Sequence, residues 1–374
     1  MRSQRSQNGF SLFELLIAMS VGAVVLAASV LMYQKSVQVS TIVTSRAELQ
    51  TEMRGAMNQI ARDLNQAGTG IPLAGIPIPS ASSGGVNPKF ACDASTCYIT
   101  ASNTFTSGLL YKVTPGNNIG VNTSEATDAI VVTYMDPIAP ASDLTSSATG
   151  LDWRAYPTTN ITTNGDTVTM PAGTTPALND PQKGLVLGDL LLFQNEKGSA
   201  VGTVTGFNAG SGVINLKATG DPLKFNQPAS PAVSGTLASL AISPVPAAAP
   251  FYKPVVVSRI MMVTYFVRRD PTDLHLSLMR QVNARTPTPV AEYIEDLQVS
   301  YDMLDDSTSP TTLVANVADA TLGSPAIAKP NQIRKVNLRI TARSPRLNAQ
   351  GDYDRMSIAT SIGPRNLSFY DKYK

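Results

Sequence analysis

The chain opens on a polar stretch, MRSQRSQNG, and turns abruptly apolar at Phe10, reading FSLFELLIAMSVGAVVLAASVLMYQ with Glu14 as its one interruption. No charged side chain stands between Glu14 and Lys35. A helix over that stretch is about 30 Å long, the thickness of a bilayer's hydrocarbon core, so the pattern predicts one membrane span. Arg2 and Arg5 precede it. By the positive-inside tendency they hold the leader in the cytoplasm and send everything after Lys35 across the membrane.

From Val37 to Ala67 there is no proline, and Ile42, Leu49, Met53, Ala56, Ile60, Leu64 and Ala67 fall on one stripe of a helix. The helix is therefore expected to continue beyond the membrane. Its opposite side carries Arg46, Glu48, Arg54, Arg62 and Asp63. Gly68, Gly70 and Pro72 stop it. Unbroken from Phe10 to Ala67, such a helix is roughly 87 Å long, with its first half in lipid and its second half packed on the rest of the protein. A separate coiled coil over residues 37–67 is the alternative.

Beyond Ile71 the pattern becomes that of short strands: AIVVTYM at 129–135, GLVLGDLLLF at 184–193, AVGTVTGF at 200–207, GVINLKA at 212–218, VVVSRIMMVTYFV at 255–267, DLQVSYDM at 296–303 and IRKVNLRITAR at 333–343. In the last, Val336, Leu338 and Ile340 alternate with Asn337, Arg339 and Thr341, so one face is buried. Strands between turn-rich connections, with no second long helical pattern, predict an α+β fold in which the N-terminal helix lies on an antiparallel sheet. Ser/Thr/Pro/Ala-rich stretches at about 136–181 and 218–254 read as long loops.

Composition bears on chemistry more than on fold. The 29 Lys+Arg nearly balance 27 Asp+Glu in 374 residues, so no global field points to nucleic acid. Arg334, Lys335, Arg339, Arg343 and Arg346 form a local basic run, but alternation splits them between two faces of a strand. Charged residues make up 15%, which fits an exported, loop-rich protein. Cys92 and Cys97, the only cysteines, flank a turn in CDASTC; they suit a short disulfide loop in an oxidising compartment, with a metal pair as the rival reading. His275 is the only histidine, which leaves a zinc site short of ligands. Asp302, Asp305 and Asp306 lack calcium-loop spacing. No phosphate-binding loop, nucleophile elbow or zinc-protease pair occurs, so neither enzymatic activity nor a cofactor is expected.

Glu14 needs a partner, because a carboxylate in an apolar span costs up to about 2.5–3.5 kcal/mol at its centre. An ordinary secretory signal also places its cleavage site after the apolar run, whereas here the polar-to-apolar switch itself contains the bond Gly9-Phe10. GFSLFELLIAMSV thus resembles the type IV prepilin motif, and Gly9, Phe10 and Glu14 match it residue by residue. The resemblance implies that prepilin peptidase cuts after Gly9, that Phe10 is N-methylated, and that Glu14 neutralises the terminal amine of a neighbouring subunit. A plain signal anchor with a snorkelling Glu14 is the alternative.

MNQIARDLNQAGTG resembles the helix end of PilW-type minor pilins, and DAIVVTY, GDLLLF, HLSLMRQV, VAEYIEDLQVSYDML, IRKVNLRITARS and a final RNL follow that family's order loosely. This implies a leader at 1–9, a pilin helix at 10–67 that spans the membrane at about 12–34, and an extracytoplasmic domain at 68–374. It further implies a minor pilin that is anchored once in the inner membrane with a periplasmic domain, then carried to the pilus and cell surface. Prepilin peptidase and other major and minor pilins are the partners implied. A type II secretion pseudopilin and a pilus-borne adhesin are the competing readings.

Overall fold

A computed structural model describes residues 10–367 apart from 100–102, 122–125, 137–156, 159, 163, 171–176, 182, 196, 228–232, 241–254, 271–273, 306–308, 319–329 and 349–350. The leader, Gly9, Asp306 and much of the two polar stretches at 136–181 and 218–254 lie outside the described residues.

The dominant element is helix α1, Leu12–Gln66. It ends where the sequence pattern stops it. Gly68 and Gly70 both take left-handed φ, at 77° and 70°, and a Cβ on Gly70 would stand 2.8 Å from Met135 Cβ. Only glycine fits there. The turn then joins the sheet, with the Gly68 N–H donating to the Thr133 carbonyl at 2.9 Å and the Met135 N–H to the Thr69 carbonyl at 2.8 Å.

The fold is α+β. Its larger sheet contains β1 (Val113–Gly116), β2 (Ala129–Met135), β3 (Leu190–Asn195), β4 (Gly198–Thr203), β5 (Val255–Arg269), β6 (Leu276–Val282) and β7 (Thr288–Glu292), joined by the short strand Pro157–Thr158. The strands run antiparallel in the order β7–β6–β5–β2–β1, and β3 and β4 extend the sheet from the first part of β5. The 15-residue β5 is thus shared: Val256–Ile260 pairs with β3, and Ile260–Phe266 pairs with β2. Strand β3 is buried on both faces, Leu190 and Leu192 in one core with Phe90 and Phe225, Leu191 and Phe193 in another with Val168 and Ile214. That explains its unbroken apolar run.

A four-stranded sheet holds β8 (Ile294–Asp305), β9 (Thr312–Val317), β10 (Ile333–Leu347) and β11 (Tyr353–Ile362), in the order β9–β8–β10–β11. Val336, Leu338 and Ile340 are buried, as their alternation predicts. Compactness divides the chain into two units. One holds α1 up to Thr51 with Arg343–Met356, where Arg46 pairs with Asp354 at 3.4 Å. The other holds Glu52–Ala342 with the segment from Ser357.

GLVLGDLLLF is strand only from Leu190. Before it, Gly188 turns at φ 86°, and Asp189 is buried as an acceptor for the guanidinium groups of Arg259 and Arg285. Arg259 also bonds Asp136 through Nε at 2.6 Å and the Gly184 carbonyl at 3.0 Å. Two buried carboxylates and two guanidinium groups therefore close the 184–189 turn against β5.

Candidate functional site

At the start of α1, Ser11 and Glu14 form a reciprocal cap. The Glu14 N–H donates to Ser11 Oγ at 3.2 Å, and the Ser11 N–H donates to Glu14 Oε2 at 3.1 Å. This S-x-x-E arrangement satisfies two of the amide donors that every helix start leaves open. The carboxylate also lies in the first turn, where the helix dipole favours it. Glu14 Oε1 has no partner among the described residues.

The apolar stretch that follows is fully exposed, from Phe10, Leu12 and Phe13 through Val24 and Leu31 to Tyr33. Its hydroxyls are satisfied inside the helix: Ser20 Oγ donates to the Ile17 carbonyl and Ser29 Oγ to the Val25 carbonyl, each at 2.8 Å. Both serine hydroxyls are thereby paired within the helix, which leaves the surface between Glu14 and Tyr33 largely hydrocarbon. The helix is long and apolar enough to cross a membrane.

Further along, Leu49, Met53, Ala56, Ile60, Leu64 and Ala67 are buried and Ile42 half-buried. Asp63, read in the sequence with the charged side, is only 3% exposed: three residues after Ile60 and four before Ala67, it borders the buried stripe. Its Oδ2 accepts Arg280 Nε at 2.7 Å and the Tyr265 hydroxyl at 2.6 Å, and its Oδ1 accepts Arg280 NH2 at 3.2 Å and the Tyr134 hydroxyl at 3.1 Å. The three partners stand on β2, β5 and β6, with Tyr265 and Arg280 directly opposite each other in register. Burial and the Asp63 charge push both tyrosines well above the ordinary phenol value. For Arg280, burial works against the charge, but the bonds to Asp63 outweigh it and raise the guanidinium further. The C-terminal turns of α1 are thus fastened to three adjacent strands through one buried carboxylate.

Cys92 and Cys97 form a disulfide. Inside its loop the Asp93 carboxylate accepts the Ser95 and Thr96 N–H groups at 2.8 and 3.0 Å and the Tyr98 hydroxyl at 2.5 Å. Burial and Asp93 push the Tyr98 hydroxyl up to about 12. Its ring lies against Phe266 and under the Arg268 guanidinium, which ties the loop to β5.

The other residues singled out in the sequence are engaged locally. Arg334 donates to the Asn331 and Ile333 carbonyls, Lys335 and Arg339 each pair with an aspartate at 3.5 Å, and Arg343 covers the Tyr353 ring at 4.1 Å. The His275 ring lies tilted against Tyr293, with centroids 5.1 Å apart. Asp302 accepts Asn316, Asn337 and Lys335. Among the described residues no three His, Cys, Asp or Glu side chains converge on a place for a metal ion.

The family described as the prokaryotic N-terminal methylation motif matches residues 4–30. No curated protein and no solved structure matches the chain. The chain therefore carries a type IV pilin-like prepilin signal, which implies processing by prepilin peptidase and association with pilins. The exposed apolar helix behind that signal is consistent with membrane anchoring.

Proposed function

We propose that the protein is a minor pilin of a type IV pilus, of the PilW type, with a structural rather than an enzymatic role. Prepilin peptidase cleaves Gly9-Phe10, Phe10 is N-methylated, and α1 passes from the inner membrane into the filament while the remainder of the chain lies in the periplasm and then at the surface. The observation that carries this reading is the prepilin signal joined without a break to a helix whose apolar half is entirely exposed. Each such Val, Leu or Phe side chain gains about 1.5–3 kcal/mol on leaving water, so this half needs lipid or neighbouring helices around it.

Glu14 supports the same reading. One carboxylate oxygen is held by the cap while the other is open to a cation, which suits the terminal amine of an adjacent subunit. The subunit enters a complex that starts filament assembly and so supports adhesion, twitching motility or DNA uptake. Because pseudopilins of type II secretion share the motif, the discriminating experiment is deletion of the gene with surface pili and secreted proteins both measured. Loss of pili with secretion intact supports the minor pilin; loss of secretion with pili intact replaces it with the pseudopilin.

A further inference from the structure

The outer face of the four-stranded sheet carries a groove of about 640 Å³, within the ~300–1,000 Å³ range of ligand sites. Its geometry begins with a bulge. Between the pairs Tyr301–Val317 and Met303–Val314, β9 advances one residue more than β8, and Asn316 takes a left-handed φ of 58°. A bulge re-aims a side chain, and strain at a non-glycine residue persists only where its surroundings hold it.

Here the surroundings do hold it. The buried Asp302 carboxylate accepts the bulge's Asn316 N–H at 3.0 Å and Asn337 Nδ2 at 2.9 Å. Burial pushes that carboxyl upward, but these two donors and Lys335 outweigh it and keep it below the usual carboxylate range. Asn337 Nδ2 also donates to Asn316 Oδ1 at 3.1 Å, and Ser361 Oγ donates to Asn337 Oδ1. One row across the sheet is thereby locked, with Ser300 opposite Asn337. In the next row Gln298 stands opposite Arg339.

The groups this lock leaves open define the ligand. Asn316 Nδ2 is a donor without a partner among the described residues, as is Gln298 Oε1 among acceptors, whose amide nitrogen is taken by Asp296 and the Ala126 carbonyl. Arg339, its side chain 54% exposed, lines the groove and pairs with Asp296 through one nitrogen at 3.5 Å. The charges on this face cancel pairwise, Arg339 with Asp296 and Lys335 with Asp302. No aromatic ring lines the groove, and the aliphatic Val299, Ala318, Leu338 and Ala359 lie among the polar groups, suited to the C–H faces of a ligand.

We propose that this face binds a neutral oligosaccharide. Sugar hydroxyls both donate and accept, which matches fixed donors and acceptors side by side with no net charge. An anionic polymer would need unpaired cations, and a nucleic acid would need stacking surfaces as well. Because the polar row is held by its own hydrogen bonds, little side-chain freedom is lost on binding. This inference goes beyond the filament reading and does not rest on it.

The test is calorimetric titration of the purified full-length protein, in a detergent without a sugar headgroup. The probes are maltohexaose, cellohexaose and chitohexaose, with heparin as the anionic comparison. The expected result is saturable binding of at least one neutral chain, none of heparin, and a loss of about tenfold or more in Asn316→Gly, the order expected for one hydrogen-bonding group. Glycine keeps the left-handed backbone but removes the Oδ1 that accepts Asn337 Nδ2, so a small fall in melting temperature is expected, and Arg339→Gln, which leaves the Asn316–Asn337 row intact, separates a lost ligand contact from a loosened row. Arg339→Gln should weaken binding similarly. Failure of all three neutral chains to bind overturns the proposal, as do binding of heparin alone and neutral-chain binding unchanged in both variants. Concentration-dependent self-association that these sugars do not reverse, but Asn316→Gly does, would assign the face to a second copy and also overturn it.

Discussion

The Asp63 carboxylate lies 2.7 Å from the Arg280 guanidinium, although the two residues are 217 positions apart in sequence. Through this contact the last turns of α1 are tied to the centre of the larger sheet, with Tyr134 and Tyr265 supplying the remaining donors.

Removing one member leaves its partner buried and unpaired. Asp63→Leu should therefore destabilise the Glu52–Ala342 unit by about 3 kcal/mol, the low end for a broken buried pair because Arg280 keeps 23% of its side chain exposed. The double variant Asp63→Leu with Arg280→Met should recover much of that loss, since an apolar pair of similar volume is often neutral. Urea denaturation followed by circular dichroism checks both. Equal instability of single and double variants would show that the tyrosine hydroxyls, not the ion pair, dominate.

The observed cap and the proposed assembly role of Glu14 separate by substitution. Glutamine also completes a capping box, so Glu14→Gln should keep the helix start intact yet fail to enter filaments. Ser11→Ala removes a cap hydrogen bond, at a cost of about 1 kcal/mol, and should leave incorporation largely intact. Immunoblotting of sheared pili against membranes reads out both variants.

The disulfide closes a loop between Cys92 and Cys97, five positions apart. By the chain-entropy account its reduction should lower stability by about 2 kcal/mol. Denaturation midpoints with and without dithiothreitol measure this, with identical midpoints as the opposing result.

Acid sensitivity should have a contribution from Asp302. Its folded carboxyl titrates below the unfolded one, so the unfolded chain binds more protons in that window and stability rises with pH there. The contribution is complete above the ordinary carboxylate value and is lost as pH falls from there through the lower folded value. Asp302→Asn should melt lower than wild type at pH ~7 and show a shallower fall between pH ~5 and ~3. Parallel curves would exclude the assignment.

What the sequence disclosed follows from the range of the forces involved. The N-terminal helix was legible because an uninterrupted apolar run and a stripe at helical spacing are local signals, and Glu14 stood out as the one charge in hydrocarbon. Strand β10 was legible because Val336, Leu338 and Ile340 bury one face. Strand β11 was not, because its exposed and half-buried positions alternate without contrast. Asp63 lies three residues after Ile60 and four before Ala67, so helical spacing sets it beside the buried stripe; its charge alone argued for solvent, and the partners that offset that charge stand on three distant strands. The groove was equally hidden, since it joins Gln298, Asn316, Asn337 and Ser361 through a register shift that no local pattern announces.

The most direct test of the central claim is intact-mass and N-terminal peptide analysis of the protein from its native membranes, with and without prepilin peptidase. The account predicts a mature chain that begins at N-methylated Phe10 and appears only when the peptidase is present. A chain that retains Met1 to Gly9 in cells with active peptidase would contradict it and leave a signal-anchored periplasmic protein.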